Sequence, residues 1–299
     1  MQTIKQTSVK MSLLCYLNSV LICLACLVVT SEAFADQPLW EMGGGLIYVN
    51  MRSYPGSHHT KSYLLPTPIF HYNGKYLKID QDSVSTPIFK SDRIHVKLSA
   101  DGTPPVDSSD IEIRDQMPDL DATLQMGPSI EFRLDRNLQQ PRRWTFKLPL
   151  RLSIATDLSH VDDRGWLLNP KLRYQRQITS RSSNPLSSSP ISSIALDFRF
   201  TLATLFANRR YLEYYYGVEP AFATSDRPSY QPASGYAGSY VSMAISQHWG
   251  SWKWSAYTRV KWLKGSKFET SPLIETNQEK QFGLLISYTF ARSLQRVPD

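Results

Sequence analysis

Residues 147–154 read Lys-Leu-Pro-Leu-Arg-Leu-Ser-Ile, and their alternation decides the fold. Successive strand side chains point to opposite faces, so Leu148, Leu150, Leu152 and Ile154 share one side while Lys147, Arg151 and Ser153 share the other. The pattern returns in Ile194, Leu196, Phe198, Phe200 and Leu202 against Asp197, Arg199 and Thr201, and in Phe282, Leu284, Ile286, Tyr288 and Phe290 against Gln281, Gly283, Ser287 and Thr289. Roughly ten alternating residues per segment is the length a tilted strand needs to cross a bilayer. A soluble sandwich would close its turns at short, regular spacing instead. The expected fold class is all-β, an antiparallel transmembrane β-barrel.

The amino end carries Lys5 and Lys10, an apolar run from Met11 to Val29, and Ala33-Phe34-Ala35. This reads as a signal peptide over residues 1–35, cleaved before Asp36, leaving 36–299 as the barrel. An uncleaved anchor helix and a lipoprotein signal ending at Cys26 are the weighed alternatives. Cys15, Cys23 and Cys26 all lie in the leader, so the mature chain has neither disulfides nor thiolate chemistry. The formal charge of +7 falls to +6 without Lys5, Lys10 and Glu32. For an exported barrel that balance points to anionic outer-membrane lipid rather than nucleic acid.

Strands are expected at Leu39–Asn50, Tyr63–Tyr72, Lys75–Lys90, Arg93–Ala100, Ala122–Leu134, Arg143–Thr156, Trp166–Ile178, Ile191–Ala203, Tyr211–Phe222, Tyr236–Trp249, Ser251–Lys264 and Gln281–Phe290. That gives twelve, with ten as the alternative, and an even number puts both termini in the periplasm. On this count the loops at 51–62, 179–190, 224–235 and 265–280 face outward, while Asn73-Gly74 and Trp249-Gly250 make short inward turns. Tryptophans and tyrosines near strand ends fit the aromatic girdles of a barrel. Pro128, Pro149 and Pro170 fall inside strands, each removing a ladder donor, and bulges are the expected remedy.

Two charged groups of residues stand out. Lys147, Arg151, Lys171, Arg173, Arg199, Arg259 and Lys261 occupy polar alternation positions and form a candidate basic lumen lining. They suit either an anion-selective pore or an interior filled by arginine and acid networks. The stretch 101–121 holds Asp107, Asp110, Glu112, Asp115 and Asp119 with Arg114 the single cation. Parity makes it a long periplasmic turn, a candidate docking site for a basic periplasmic partner or a solvated turn. Ser57 beside His58 is too weak a signal for catalysis, since a triad is recognised by geometry. His58-His59 lacks a third ligand at suitable spacing, so no metal, cofactor or catalytic residue is expected.

Several stretches taken in order resemble the MipA/OmpV family of outer-membrane proteins. They are Tyr54-Pro55-Gly56-Ser57; Leu65-Pro66-Thr67-Pro68 with Tyr72; Met117-Pro118-Asp119-Leu120-Asp121-Ala122-Thr123-Leu124 with Gly127-Pro128; Tyr216-Gly217-Val218; Ser271-Pro272-Leu273-Ile274; and Ile286-Ser287-Tyr288-Thr289-Phe290. The chain runs nine residues past Phe290, where many such barrels end. The resemblance implies a non-enzymatic outer-membrane scaffold linking a murein lytic transglycosylase to the peptidoglycan synthesis machinery, with adhesion or osmotic response in some relatives. The alternatives are an anion-permeable pore, a surface adhesin and, furthest, a lipid-modifying barrel enzyme.

Overall fold

Alternation becomes structure through register, because cross-strand partners share a face. Phe282, Leu284, Ile286 and Tyr288 pair with Asn50, Tyr48, Leu46 and Gly44, and all four of the former are exposed on the outside. The computed structural model describes residues 37–74, 78–80, 83–135, 142–156, 161–180 and 194–297. The leader over 1–35 with its cysteines, and most of the loop over 179–190, lie outside the described residues.

Twelve antiparallel strands follow one another around the ring. They are β1 (Trp40–Arg52), β2 (Thr60–Asn73), β3 (Lys78–Asp80), β4 (Ser83–Lys90), β5 (Ile94–Thr103), β6 (Ala122–Arg133), β7 (Arg142–Thr156), β8 (Val161–Leu168 and Lys171–Ser180), β9 (Ile194–Ala207), β10 (Gly235–Trp249), β11 (Trp252–Trp262) and β12 (Gln278–Arg292). Pairing of β12 with β1 closes the barrel. The terminal segments Gln37–Pro38 and Arg296–Val297 pair with each other, which defines a terminal end and a far end.

Two sequence expectations are corrected, and they cancel in the count. The expected single strand Lys75–Lys90 holds two among its described residues, β3 and β4, with Asp80 paired back onto Ser83; in the sequence the polar run from Asp80 to Ser83 interrupts the alternation. Tyr211–Phe222 is no strand. It holds the helix α1 (Arg209–Tyr216) and a 3-10 turn at Pro220–Phe222. Asn208 caps α1, its side chain accepting from the Tyr211 amide at 3.2 Å. Leu212, Tyr215 and Tyr216 are buried at helical, not strand, spacing.

The consequence is an inverted parity between residues 93 and 207. The segment 104–121 therefore lies at the far end and not with the termini, and Ser180 and Ile194, which pair with each other, put the 179–190 connection at the terminal end. The loops at 51–62, 224–235 and 265–280 lie at the far end and Trp249-Gly250 at the terminal end, as read; the connection after Asn73 also lies at the terminal end, but Asn73 is the last residue of β2, paired with Lys78, and neither it nor Gly74 has the positive φ of a two-residue turn.

Pro170 breaks β8 into two halves that both bridge β7 and β9. The Asn169 amide donates to the Pro149 carbonyl at 3.1 Å, so the break is stitched rather than bulged. Exposed Trp252 and Trp262 stand at the two ends of β11. Ten strand residues span roughly 33 Å, or about 25 Å along the normal at a tilt of about 40°, the height of an apolar membrane band.

At Gly127 the neighbouring strand comes so close that a Cβ would land on the Leu150 carbonyl oxygen, whereas one on Gly44 would meet nothing within 4 Å. Gly127→Val is expected to cost about 1–3 kcal/mol by forcing β6 from β7. Refolding yield, read from the heat-modifiable band on a gel, should drop for Gly127→Val and hold for Gly44→Ala.

Candidate functional site: a capped mouth over a basic lumen

The far-end loops fold over the barrel mouth and pack into a second core. Its buried members include Tyr54, Ile111, Leu120, Leu212, Tyr216, Leu263 and Phe268. Phe268 stacks on Tyr216 with ring centroids 3.7 Å apart and planes within 3°. Beneath it, the Gln125 amide donates to the Tyr211 hydroxyl at 3.4 Å, and the hydroxyls of Thr103 and Thr123 lie 3.5 and 3.4 Å from that of Tyr215. The cap is thus keyed to the inner wall of β5 and β6.

Three of the motifs that carried the family resemblance, at residues 54–57, 216–218 and 271–274, meet here. The Tyr54 hydroxyl donates to the Leu273 carbonyl at 2.8 Å, and the Ser271 hydroxyl to the Tyr216 carbonyl at 2.7 Å. Gly56 adopts φ 102°, a conformation that favours glycine, and its carbonyl accepts from the amides of Glu275 and Thr276. A side chain there would strike Ile274. Buried Arg114 donates to the Ser108 hydroxyl at 3.1 Å and to the carbonyls of Tyr215 and Pro118 at 3.3 and 3.1 Å, with its guanidinium 5.7 Å from the Tyr54 ring centroid. Arg227 donates to the carbonyls of Ile113, Asp115 and Phe222. Two arginines therefore staple the 104–121 segment to the connection between β9 and β10 through carbonyl acceptors.

The acidic residues belong to the same cap. Asp107 caps a short 3-10 turn through Ser109, whose hydroxyl and amide hold its carboxyl below the usual carboxylate range. Asp119 accepts from the Ser108 amide at 2.7 Å, and Asp110 pairs with Lys61 at 3.0 Å. Glu112 and Asp115 are exposed. Ser57 and His58 both reach Glu275: the Ser57 hydroxyl donates to its carboxylate at 3.3 Å, while His58 Nε2 lies 2.6 Å from its backbone carbonyl. His59 Nδ1 lies 2.8 Å from the Ser53 hydroxyl. Ser57 thus bonds to an acid, and the serine that meets an imidazole is Ser53. No group of three metal-ligating side chains occurs among the described residues.

Below the cap is a cavity of about 770 Å³. Of the predicted basic lining, Lys147, Arg151, Lys171, Arg173, Arg199 and Arg259 face it together, and Lys261 lies one layer closer to the cap, opposite Glu279. Sequence reading missed Lys97, Arg133, Arg143 and Lys253, which also line it. The signal was available for Lys97, which alternates with Ile94, Val96 and Leu98. The carboxylates are engaged: Glu131 lies 3.1 Å from Lys97 and 2.6 Å from Lys147, Asp101 pairs with Arg151 at 3.0 Å, and Asp197 accepts from Gln175 at 3.1 Å. The Arg259 guanidinium lies 4.8 Å from the Tyr240 ring centroid.

Burial holds the hydroxyls of Tyr54, Tyr211 and Tyr216 above the ordinary phenol range and pushes Tyr214 up to about 12. In an unpacked cap these groups ionise near pH 10, so cap stability is full below about pH 10 and is lost as pH rises through the folded values. A titration of tyrosinate absorbance should show a late-ionising set of tyrosines, and Phe268→Ala should shift that set back toward pH 10.

Among solved structures, the CymD monoaromatic hydrocarbon channel aligns over 87% of this chain and 90% of its own, at 11% identity and a TM-score of 0.33. A Pseudomonas aeruginosa FadL homologue aligns over 84% and 90% at 8% identity and a TM-score of 0.25, and Pseudomonas aeruginosa OccK5 over 86% and 99% at 11% and 0.24. None of the curated proteins matches the chain. The family described as MltA-interacting protein MipA matches residues 43–290, and this outer-membrane barrel belongs to that family.

Proposed function

We propose that the protein is a non-enzymatic scaffold of the outer membrane that holds a murein-degrading transglycosylase at its terminal end. The family description supplies the class of partner. The observation that carries the reading is the packed cap, which fills the far mouth with apolar side chains and so favours holding over passing solutes. Barrels of this kind keep termini and short turns in the periplasm, which turns the terminal end toward the murein layer and the cap toward the outside.

On this reading the acids Asp107, Asp110, Glu112, Asp115 and Asp119 face outward and take no part in periplasmic docking. A photoreactive residue at exposed Asp92, in the turn between β4 and β5, should crosslink a murein hydrolase or synthase in intact cells, and one at Asp110 should not. An empty Asp92 adduct pool from correctly inserted barrel, with murein enzymes captured at Asp110, overturns the assignment. Planar-bilayer recordings should show no steady conductance for the native barrel, while unpacking the cap with Phe268→Ala should admit current.

A further inference from the structure

The lumen cavity presents four lysines and six arginines against three carboxylates, Asp101, Glu131 and Asp197, a formal excess of seven cations around about 770 Å³. An interior filled by arginine and acid networks would bring the two signs close to balance. Here each carboxylate already has its cation or amide partner, Asp197 lying 3.9 Å from Arg199 as well as accepting from Gln175, and along one row the residues between cations are short hydroxyls. Following the register from β6 to β11, Arg133 faces Thr145, Thr145 faces Arg173, Arg173 faces Thr201, Thr201 faces Ser242, and Ser242 faces Arg259. Strands stand about 4.8 Å apart, so this row sets the backbone positions of its arginines roughly 10–14 Å apart along a wall kept open by small side chains. Arg259 Nε is buried with no hydrogen-bond partner, although its neighbouring nitrogen reaches Gln281 at 3.3 Å. At about 10 Å two like charges repel by roughly 1.5 kcal/mol at an effective dielectric near 20, so the empty cavity bears a cost that bound anions relieve.

The cap fills the far mouth, while the cavity lining reaches down to Lys253, one residue into β11 from the terminal end. The geometry points to a binding site for a small, multiply charged oxyanion, carrying two or more phosphate or carboxylate groups, that enters from the terminal end. Guanidinium forks suit both groups through paired hydrogen bonds, and the volume is that of a small-molecule site. This inference does not rest on the scaffold reading and can fail without it.

The test is calorimetric titration of the full barrel, in zwitterionic detergent, with tripolyphosphate, citrate and inorganic phosphate. The expected result is saturable binding of tripolyphosphate or citrate about tenfold or more tighter than inorganic phosphate, weakening as salt rises. Tripolyphosphate as the stronger ligand assigns phosphate chemistry, and citrate assigns carboxylate. Arg259→Gln and Lys171→Gln should each weaken binding several-fold, and Arg210→Gln on the exposed cap surface should not. Thermal midpoints provide an independent reading: Lys171→Gln should raise the midpoint of the ligand-free barrel and shrink the rise produced by tripolyphosphate. Absence of saturable binding, binding that Arg210→Gln weakens and the lumen variants do not, or a lowered ligand-free midpoint in Lys171→Gln overturns the proposal.

Discussion

Hydrocarbon offers no hydrogen bonds, so every backbone amide and carbonyl at membrane depth must find its partner inside the protein, and closing β12 onto β1 is what satisfies the last of them. The alternation of the sequence follows from that closure. One face of each strand meets lipid and the other meets the lumen, which is why Leu284 is exposed outside while Arg259 and Lys171 look inward. Even the break at Asn169-Pro170 is tolerated on these terms, because the Asn169 and Thr204 amides recover acceptors at the Pro149 and Pro170 carbonyls.

A barrel without a conventional core still needs somewhere to bury apolar side chains away from lipid, and this one does so in its cap. Leu212, Leu263 and Leu273 are wholly inaccessible there, and the loops that hold them are tied by backbone carbonyls accepting from Arg114, Arg227, Tyr54 and Ser271. Neutral acceptors suit a buried guanidinium in this setting because they distribute its charge over several dipoles without demanding a second buried ion.

Strand identity was legible from residues 122 to 207 because alternation over ten residues is a strong local signal. Topology was less so, since a single missed reversal at Asp80-Gln81-Asp82-Ser83 flips the end assigned to every later loop until a second error restores it. The helix α1 was misread because Arg-Arg-Tyr-Leu-Glu-Tyr-Tyr-Tyr alternates weakly as a strand. Its Leu212, Tyr215 and Tyr216 have the spacing of one helical face, and Asn208 stands where a cap belongs. The lumen cations were legible residue by residue, because parity alone places them. The cap core was not, since Tyr54 and Phe268 are single aromatic residues in polar loops, and only the folded arrangement brings them together.

Cap and lumen impose opposite electrostatic demands on the same barrel. The cap has its buried arginines, Arg114 and Arg227, answered by carbonyls at distances of about 3 Å, whereas the lumen gathers cations on inward positions where threonine or serine neighbours could have been aspartate or glutamate. Acids at Thr145, Thr201 and Ser242 together would balance the three arginines of the row, on positions that face neither the lipid nor the strand pairing. A chain that answers every buried cation in its cap yet leaves an excess in its lumen has two different kinds of interior. The first is a structural core, complete by itself, and the second is shaped for a charge that comes from outside the chain.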